Sequence, residues 1–253
     1  GWDFREALEE LAKKVGVKLT SFAPSGKTRE REKLIEINKL VSKFYSYLLN
    51  EHKAGERARK YLKDRGISQE TWKKFNVGYA PEAWENTFEF LTKRKFEVSD
   101  IANSGLVISR NSSNGSFYDR FRNRLIFPLF DDRGNVLGFS GRVIDDEGLR
   151  TKDEGRKEPK YLNSPETPIF NKGSLLFGLN VTKGAIRAKN ETLLVEGEFD
   201  VMSAYQAGVQ NVVASKGTAL TDKQIALIAR LCAGVALCFD GDIAGDAAAR
   251  RGI

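Results

Sequence analysis

The chain has 253 residues, 41% of them hydrophobic and 30% charged, the make-up of an ordinary folded protein long enough for one large domain or two smaller cores. No apolar run approaches the length of a membrane span and Gly1-Trp2-Asp3-Phe4 is no signal peptide, so the chain reads as cytosolic, with no membrane partner. Two cysteines, Cys232 and Cys238, and the single His52 exclude a disulfide framework and a four-ligand zinc site, while a net charge of +7 is compatible with nucleic acid without requiring it.

Phe4, Leu8, Leu11 and Val15 fall at helical spacing, so residues 1–20 read as one short amphipathic helix ended by Gly16. The polar run Ser21–Arg29, with Pro24, Ser25 and Gly26, reads as a linker. A long helix is expected from Glu30, burying a stripe of Leu34, Ile37, Val41, Phe44 and Leu48. A second covers Glu56 to Asp64 and stops at Gly66, and Ser68 caps a third over Gln69–Phe75. His52 lies between helices and is given no role. Pro81 opens a helix carrying Trp84, Phe88 and Leu91, Asp100 caps a short turn, and the Asn/Ser-rich Ser109–Gly115 is a loop or hairpin end.

At Tyr118 the pattern turns to strands. Leu125–Phe130 and Val136–Val143 flank the turn Asp131-Asp132-Arg133-Gly134-Asn135, and Pro128 must sit at an edge or bulge because it cannot donate to a ladder. Asp145–Pro159 is charged, poor in apolar residues and expected to be a mobile loop. From Thr192 strands (193–195, 209–214, 235–239) alternate with helices (201–207, 222–231, 244–250), the signature of right-handed crossovers and a parallel sheet. The last helix is cut by the chain end, so a longer parent protein is expected.

Three clusters carry chemistry. The first is acidic: Leu193-Leu194-Val195 runs into Glu196-Gly197-Glu198-Phe199-Asp200, and Leu237-Cys238-Phe239 runs into Asp240-Gly241-Asp242. Functional groups gather beyond the carboxyl ends of strands in such sheets, and carboxylates there suit magnesium. The competing reading is that the acids cap the following helices, Asp200 and Asp242 above all. No Gly-x-Gly-x-x-Gly follows a strand, which removes a Rossmann nucleotide site. The second cluster is Tyr118-Asp119-Arg120-Phe121-Arg122-Asn123-Arg124, where strand alternation puts three arginines on one face, either to hold phosphates or simply as a charged edge. The third is Lys160-Tyr161-Leu162-Asn163-Ser164-Pro165-Glu166-Thr167-Pro168 with Phe170-Asn171-Lys172-Gly173 behind it. It is an extended segment offering Lys160 and Lys172 to phosphates and Asn163 as an amide, or else an ordinary polar loop.

These motifs, in this order and rough spacing and with Ala214–Thr221 between the acidic pairs, resemble bacterial replicative DNA primases of the DnaG type. The resemblance covers essentially the whole chain. It implies an α+β N-terminal basic lobe followed by an α/β TOPRIM domain with a parallel sheet flanked by helices, C-terminally truncated. Residues 1–28 would be a helix and linker following an absent zinc-binding domain, 29–189 the basic catalytic-core lobe, and 190–253 the incomplete TOPRIM domain. It implies that Glu196, Asp240 and Asp242 hold Mg2+ (or Mn2+), that Asp200 is a further acidic position of the catalytic site, and that Arg120, Arg122, Arg124, Arg142, Lys160, Tyr161, Asn163 and Lys172 face template strand and nucleotide. A further Asp-x-Asp motif and a helicase-binding region are expected after Ile253, and Zn2+ only in the absent N-terminal domain.

The function so implied is RNA primer synthesis on single-stranded DNA from ribonucleoside triphosphates, with a replicative helicase and a single-stranded DNA-binding protein as partners at the nucleoid. Two rivals share parts of the pattern. A TOPRIM nuclease or topoisomerase-like enzyme would use the same acids to cleave phosphodiesters, and a non-catalytic single-stranded DNA-binding module would use them only structurally.

Overall fold

Helix-forming runs between glycine stops shape the first half of the molecule. The computed structural model describes residues 4–17, 26–110, 116–144, 159–215 and 220–239. Helix α1 (Phe4–Val15) ends where Gly16 takes a left-handed φ of +68°. Two residues of its expected apolar stripe are not covered: Leu11 and Val15 are 59% and 70% exposed, and Ala12 is buried instead. Helix α2 (Gly26–Asn50) begins four residues before the expected Glu30, because Lys27, Arg29 and Glu30 are good helix formers and the linker reading overweighted Gly26. Its buried line runs through Leu34, Ile37, Val41, Tyr45 and Leu48, with Tyr45 rather than Phe44 fully enclosed. The polar members of that line bond to neighbouring elements, although Asn38 Oδ1 is buried without a partner among the described residues. Asn38 Nδ2 donates to the Leu137 carbonyl at 2.9 Å, and Ser42 Oγ accepts from Asn76 Nδ2 at 2.9 Å.

Helices α3 (Glu56–Asp64) and α4 (Gln69–Lys74) stand where the sequence puts them, and Ser68 Oγ accepts from the Thr71 amide at 3.2 Å as the cap of α4. His52 Nδ1 accepts from the Ala54 amide at 3.1 Å and caps a single 3-10 turn. Strand β1 (Gly78–Ala80) precedes α5 (Asn86–Thr92) and α6 (Val98–Asn103). Two expectations fail here. Pro81 does not open α5, and Trp84 lies ahead of the helix, 51% exposed. Asp100 lies inside α6 and pairs with Lys33 at 2.6 Å instead of capping.

The hairpin end is β2 (Val107–Ser109) against β3 (Phe117–Asp119). Strands β4 (Arg124–Phe130), β5 (Val136–Val143) and β6 (Tyr161–Asn163) join β1 in an antiparallel sheet of order β1-β4-β5-β6. β1 pairs only with Arg124–Ile126, so Pro128 lies on the stretch of β4 that β1 does not reach, next to a register shift at Leu129/Phe130. Residues 145–158, most of the expected mobile loop, lie outside the described residues.

The second sheet is parallel, as the alternation requires. Helix α7 (Leu179–Lys189) leads into β7 (Glu191–Val195), α8 (Glu198–Gln206), β8 (Val212–Ala214), α9 (Asp222–Ala229) and β9 (Gly234–Leu237), in the order β8-β7-β9. The helix expected at Ala244–Arg250 lies outside the described residues. Leu179 and Ile186 of α7 pack with Leu194, Val213 and Ile228. A larger cluster joins the two sheets: Trp72, Phe75, Phe127, Phe170 and Phe177 meet Val195, Phe199, Val201, Met202 and Val212. Phe177 and Ala214 add an antiparallel bridge across the seam, and Gln206 clasps the turn before α4, donating to the Gly66 carbonyl at 2.7 Å and accepting from the Ser68 amide at 3.1 Å.

Gly78 is the tightest point between the first sheet and α2. A Cβ there would lie 2.5 Å from Tyr45 Cβ and 2.8 Å from the Tyr45 carbonyl carbon. Since α2 backbone cannot retreat without unpacking its core face, Gly78→Ala is expected to destabilise the protein by about 1–3 kcal/mol. Denaturant unfolding reads this directly, and an unchanged midpoint would refute the close packing of β1 on α2.

Candidate functional site

Strand β7 delivers Glu196 at its carboxyl end, and Gly197 then turns the chain into α8. Strand β9 runs parallel beside it, Leu194 opposite Leu237, and the Cys238 amide continues the ladder to the Leu194 carbonyl at 2.9 Å. The chain therefore leaves β9 at the end of the sheet that carries Glu196. Asp240 and Asp242 follow in sequence and lie outside the described residues. Among the described residues no three His, Cys, Asp or Glu side chains stand together as a metal cluster.

Asp200 does what the capping alternative requires. Its Oδ2 accepts from the Gly197 amide at 2.9 Å and fixes the first turn of α8. Glu198, one residue into the helix, is only 2% exposed, although nothing in its sequence context marks it as buried.

The basic segment does not form the single exposed arginine face that strand alternation predicts. β3 stops at Asp119, residues 120–123 are irregular, and Asn123 takes a left-handed φ of 48° before β4 begins at Arg124. The three arginines consequently diverge. Arg124 is 1% exposed, and its Nη1 donates to the Pro159 carbonyl at 2.9 Å and, at 3.4 Å, to those of Gly141 and Lys160. That pins the start of β6 and takes Arg124 away from the surface. Arg120 Nε donates to the Asn163 carbonyl at 3.0 Å, and burial holds its guanidinium below the ordinary arginine value. Arg122 Nη1 donates to the Asp119 carbonyl at 2.6 Å, and its guanidinium lies 4.4 Å from the centre of the Trp84 ring and 5.2 Å from that of Tyr118.

Arg142 comes from β5 and faces Tyr161 across the β5–β6 ladder. Its Nη1 donates to the Tyr161 hydroxyl at 2.8 Å. Three rings surround the guanidinium, with Phe199 at 4.9 Å, Tyr161 at 5.3 Å and Tyr61 at 5.8 Å. The side chain is only 4% exposed, and its Nε and Nη2 find no acceptor among the described residues. Buried guanidinium donors without an acceptor are unfavourable, and a bound anion would offset that cost. Tyr161 belongs to both lobes electrostatically. Burial raises its pKa, the charges of Glu198 and Asp200 raise it further, and Arg142 opposes them. Arg142 and Tyr161 of the first lobe thus meet the first turn of α8 in the second. Lys160 and Lys172 are exposed, and the Lys172 amide donates to Glu166 Oε1 at 3.1 Å.

Sequence reading missed three members of this site. Tyr61 and Arg65 come from α3 and the turn after it, and the Arg65 guanidinium lies 5.2 Å from the Tyr61 ring centre and 5.5 Å from that of Phe199. Glu198 is the third. No local signal reveals Tyr61, because its position follows only from the packing of α3 on α8.

A family model for the DNA primase catalytic core, N-terminal domain, matches residues 44–183, and a Toprim-like model matches residues 193–253. The DNA primase of Halalkalibacterium halodurans is 42% identical over 253 residues, covering 99% of this chain and 40% of the relative. The DNA primase of Listeria monocytogenes is 44% identical over 224 residues, covering 88% and 34%. The chain therefore spans 40% or less of the length of these curated relatives. Among solved structures, a DnaG primase catalytic domain bound to ssDNA matches with a TM-score of 0.75 at 36% identity, over 88% of this chain and 65% of that one. The RNA polymerase domain of Mycobacterium tuberculosis primase DnaG matches with a TM-score of 0.76 at 33% identity, over 87% and 70%.

Asp119 links this site to its scaffold. It is 1% exposed and accepts from the Thr87 amide at 2.6 Å and the Phe88 amide at 3.0 Å, at the start of α5. Burial pushes its carboxyl up to about 6, against those two donors and the charge of Arg122. A carboxyl raised in the folded state binds its proton more tightly there, so its contribution to stability falls as pH rises from about 4 to about 6 and is level above that. In Asp119→Asn that decline disappears. The stability difference between variant and wild type should shift in the variant's favour by on the order of 2–3 kcal/mol across this window. Chemical denaturation at several pH values measures it, and a difference that stays constant would refute the raised pKa.

Proposed function

This chain belongs to the DNA primase catalytic-core family, and from that premise we propose that it is the core of an enzyme making short RNA primers on single-stranded DNA by metal-dependent nucleotidyl transfer. The observation that carries the reading is the meeting of Arg142 and Tyr161 with the first turn of α8 across the seam between lobes. It sets phosphate-binding donors beside an acidic strand end, the pairing that phosphoryl transfer needs.

Glu196, Asp240 and Asp242 would hold a divalent ion, Mg2+ or Mn2+. The donor set fits: all are carboxylate oxygens, and the parallel register of β7 and β9 brings the chain out of both strands at one end of the sheet. Such an ion would neutralise charge growing on the attacked phosphate and favour the deprotonated 3′-hydroxyl. Asp200 serves by holding the Glu196–Gly197 turn through its bond to the Gly197 amide. Arg142 pairs a phosphate of nucleotide or strand with its Nε and Nη2, which are buried without an acceptor among the described residues, while Nη1 keeps Tyr161 in place. Arg120, Arg122, Lys160, Asn163 and Lys172 hold the strand and triphosphate. Arg124 acts through the β6 backbone that it pins. The basic lobe is taken as residues 29–189 and the TOPRIM domain as 190–253. Ribonucleoside triphosphates, a replicative helicase and a single-stranded DNA-binding protein are the partners of the whole protein, and the replisome its place of work.

Asp240→Ala in the full-length protein should abolish primer synthesis on a single-stranded template, a loss of at least ~100-fold, as for removal of a group that acts on transition-state charge. DNA binding should stay near the wild-type value. Primer synthesis that survives the substitution would overturn the metal assignment.

A further inference from the structure

Helix α3 has a second face that the reading above leaves unused. Ala58 and Leu62 point into the shared core. On the outside, Lys53, Glu56, Arg57, Lys60, Lys63 and Asp64 border an open groove of about 720 Å³. Arg59 lies at its base, its Nη1 donating to the Leu49 carbonyl at 2.6 Å and the His52 carbonyl at 3.1 Å. Five cationic side chains thus face two carboxylates, and one of those, Asp64, pairs with Lys60 at 2.6 Å.

The groove is connected to the acidic strand end. Arg57, Tyr61 and Arg65 succeed one another at four-residue intervals, so they lie along one side of the helix and its exit turn. The Tyr61 ring meets Phe199 edge-on at 6.4 Å, and Arg65 stands over both rings. Arg142 stands over the same pair. Cationic side chains therefore recur from the α3 groove, where Glu56 and Asp64 stand among them, to the Phe199 ring in the first turn of α8.

We propose that the outer face of α3 is a second nucleic-acid contact, which holds the sugar–phosphate backbone of a single strand passing to or from the acidic strand end. The proposal rests on the primer-synthesis reading. A polyanion suits the face because its charge is carried by long side chains spread along a helix, which can each meet a successive phosphate. An acidic protein partner and a merely solvated helix face are the alternatives.

The test measures binding of a fluorescent oligodeoxythymidine to the full-length protein across a salt series. Each phosphate contact on a single strand contributes about 0.7 to the slope of log affinity against log salt. Lys60→Ala combined with Lys63→Ala should lower that slope by roughly 1.4, since two contacts are lost. Lys13→Ala combined with Lys93→Ala removes the same charge from exposed positions on α1 and at the end of α5, and should leave the slope unchanged. Equal slopes for wild type and the α3 variant overturn the contact, as does an equal fall in both variants. Wild-type protein that binds DNA and makes primers while the α3 variant keeps the full slope refutes the α3 contact alone. Wild-type protein that does neither removes the reading on which it rests, and the contact with it.

Discussion

Phe127, Phe177 and Phe199 meet edge to face, with ring centres 6.0 Å apart for Phe127–Phe177 and 5.7 Å for Phe127–Phe199. They come from β4, from the approach to α7 and from α8, so one apolar cluster belongs to both sheets. Burying a phenylalanine is worth about 1.5–3 kcal/mol, and the cluster holds several large side chains from each side. The two lobes are therefore bound as a protein interior is bound, rather than hinged at a wet interface. This bears directly on chemistry. The seam carries Arg142 and Tyr161 on one side and the first turn of α8 on the other, and a shift of 1 Å between such groups is costly in catalysis.

The same core makes a buried cation tolerable. Arg142 is nearly inaccessible, has one hydrogen bond and keeps two donor nitrogens open among the described residues. Its cage of three rings returns roughly 0.5–2 kcal/mol per contact, which offsets a share of the several kcal/mol that desolvating an ion costs. The packed seam holds this costly guanidinium in place, and an anion bound to its Nε and Nη2 would lower the cost.

Periodicity found most of the fold because most of it is set by local burial. Helices α3 and α4, the β4–β5 hairpin and the strand–helix alternation of the second sheet follow from spacing and from stops at glycine. Failures occur where a distant partner decides. Trp84 reads as a helical residue, but Asp119 donates its amide to the Trp84 carbonyl at 2.6 Å and ties that segment to β3 instead. Arg120, Arg122 and Arg124 look alike in sequence, yet the left-handed Asn123 breaks the alternation and sends Arg124 under β6. The site was legible in its residue types and in Arg142 and Tyr161, while the arrangement around them was not. Tyr61 and Arg65 enter it only through the packing of α3 against Phe199, which no spacing encodes.

The acidic strand end posed a choice between helix cap and functional carboxylates, and the geometry shows the cap while leaving the two readings compatible. Asp200 Oδ2 is committed to the Gly197 amide, which satisfies one of the donors that every helix start leaves open. Gly197 is also the residue that follows Glu196, so the cap fixes the backbone from which the Glu196 side chain leaves. The space at Gly197 agrees: a Cβ there would come within 3.2 Å of Asp200 Oδ2 and press on that bond. A carboxylate carried on a fixed turn loses less conformational entropy when it engages a ligand than one on a free loop. Capping by Asp200 thus fixes the turn that carries Glu196, so a ligand-binding role for Glu196 would start from a preorganised backbone.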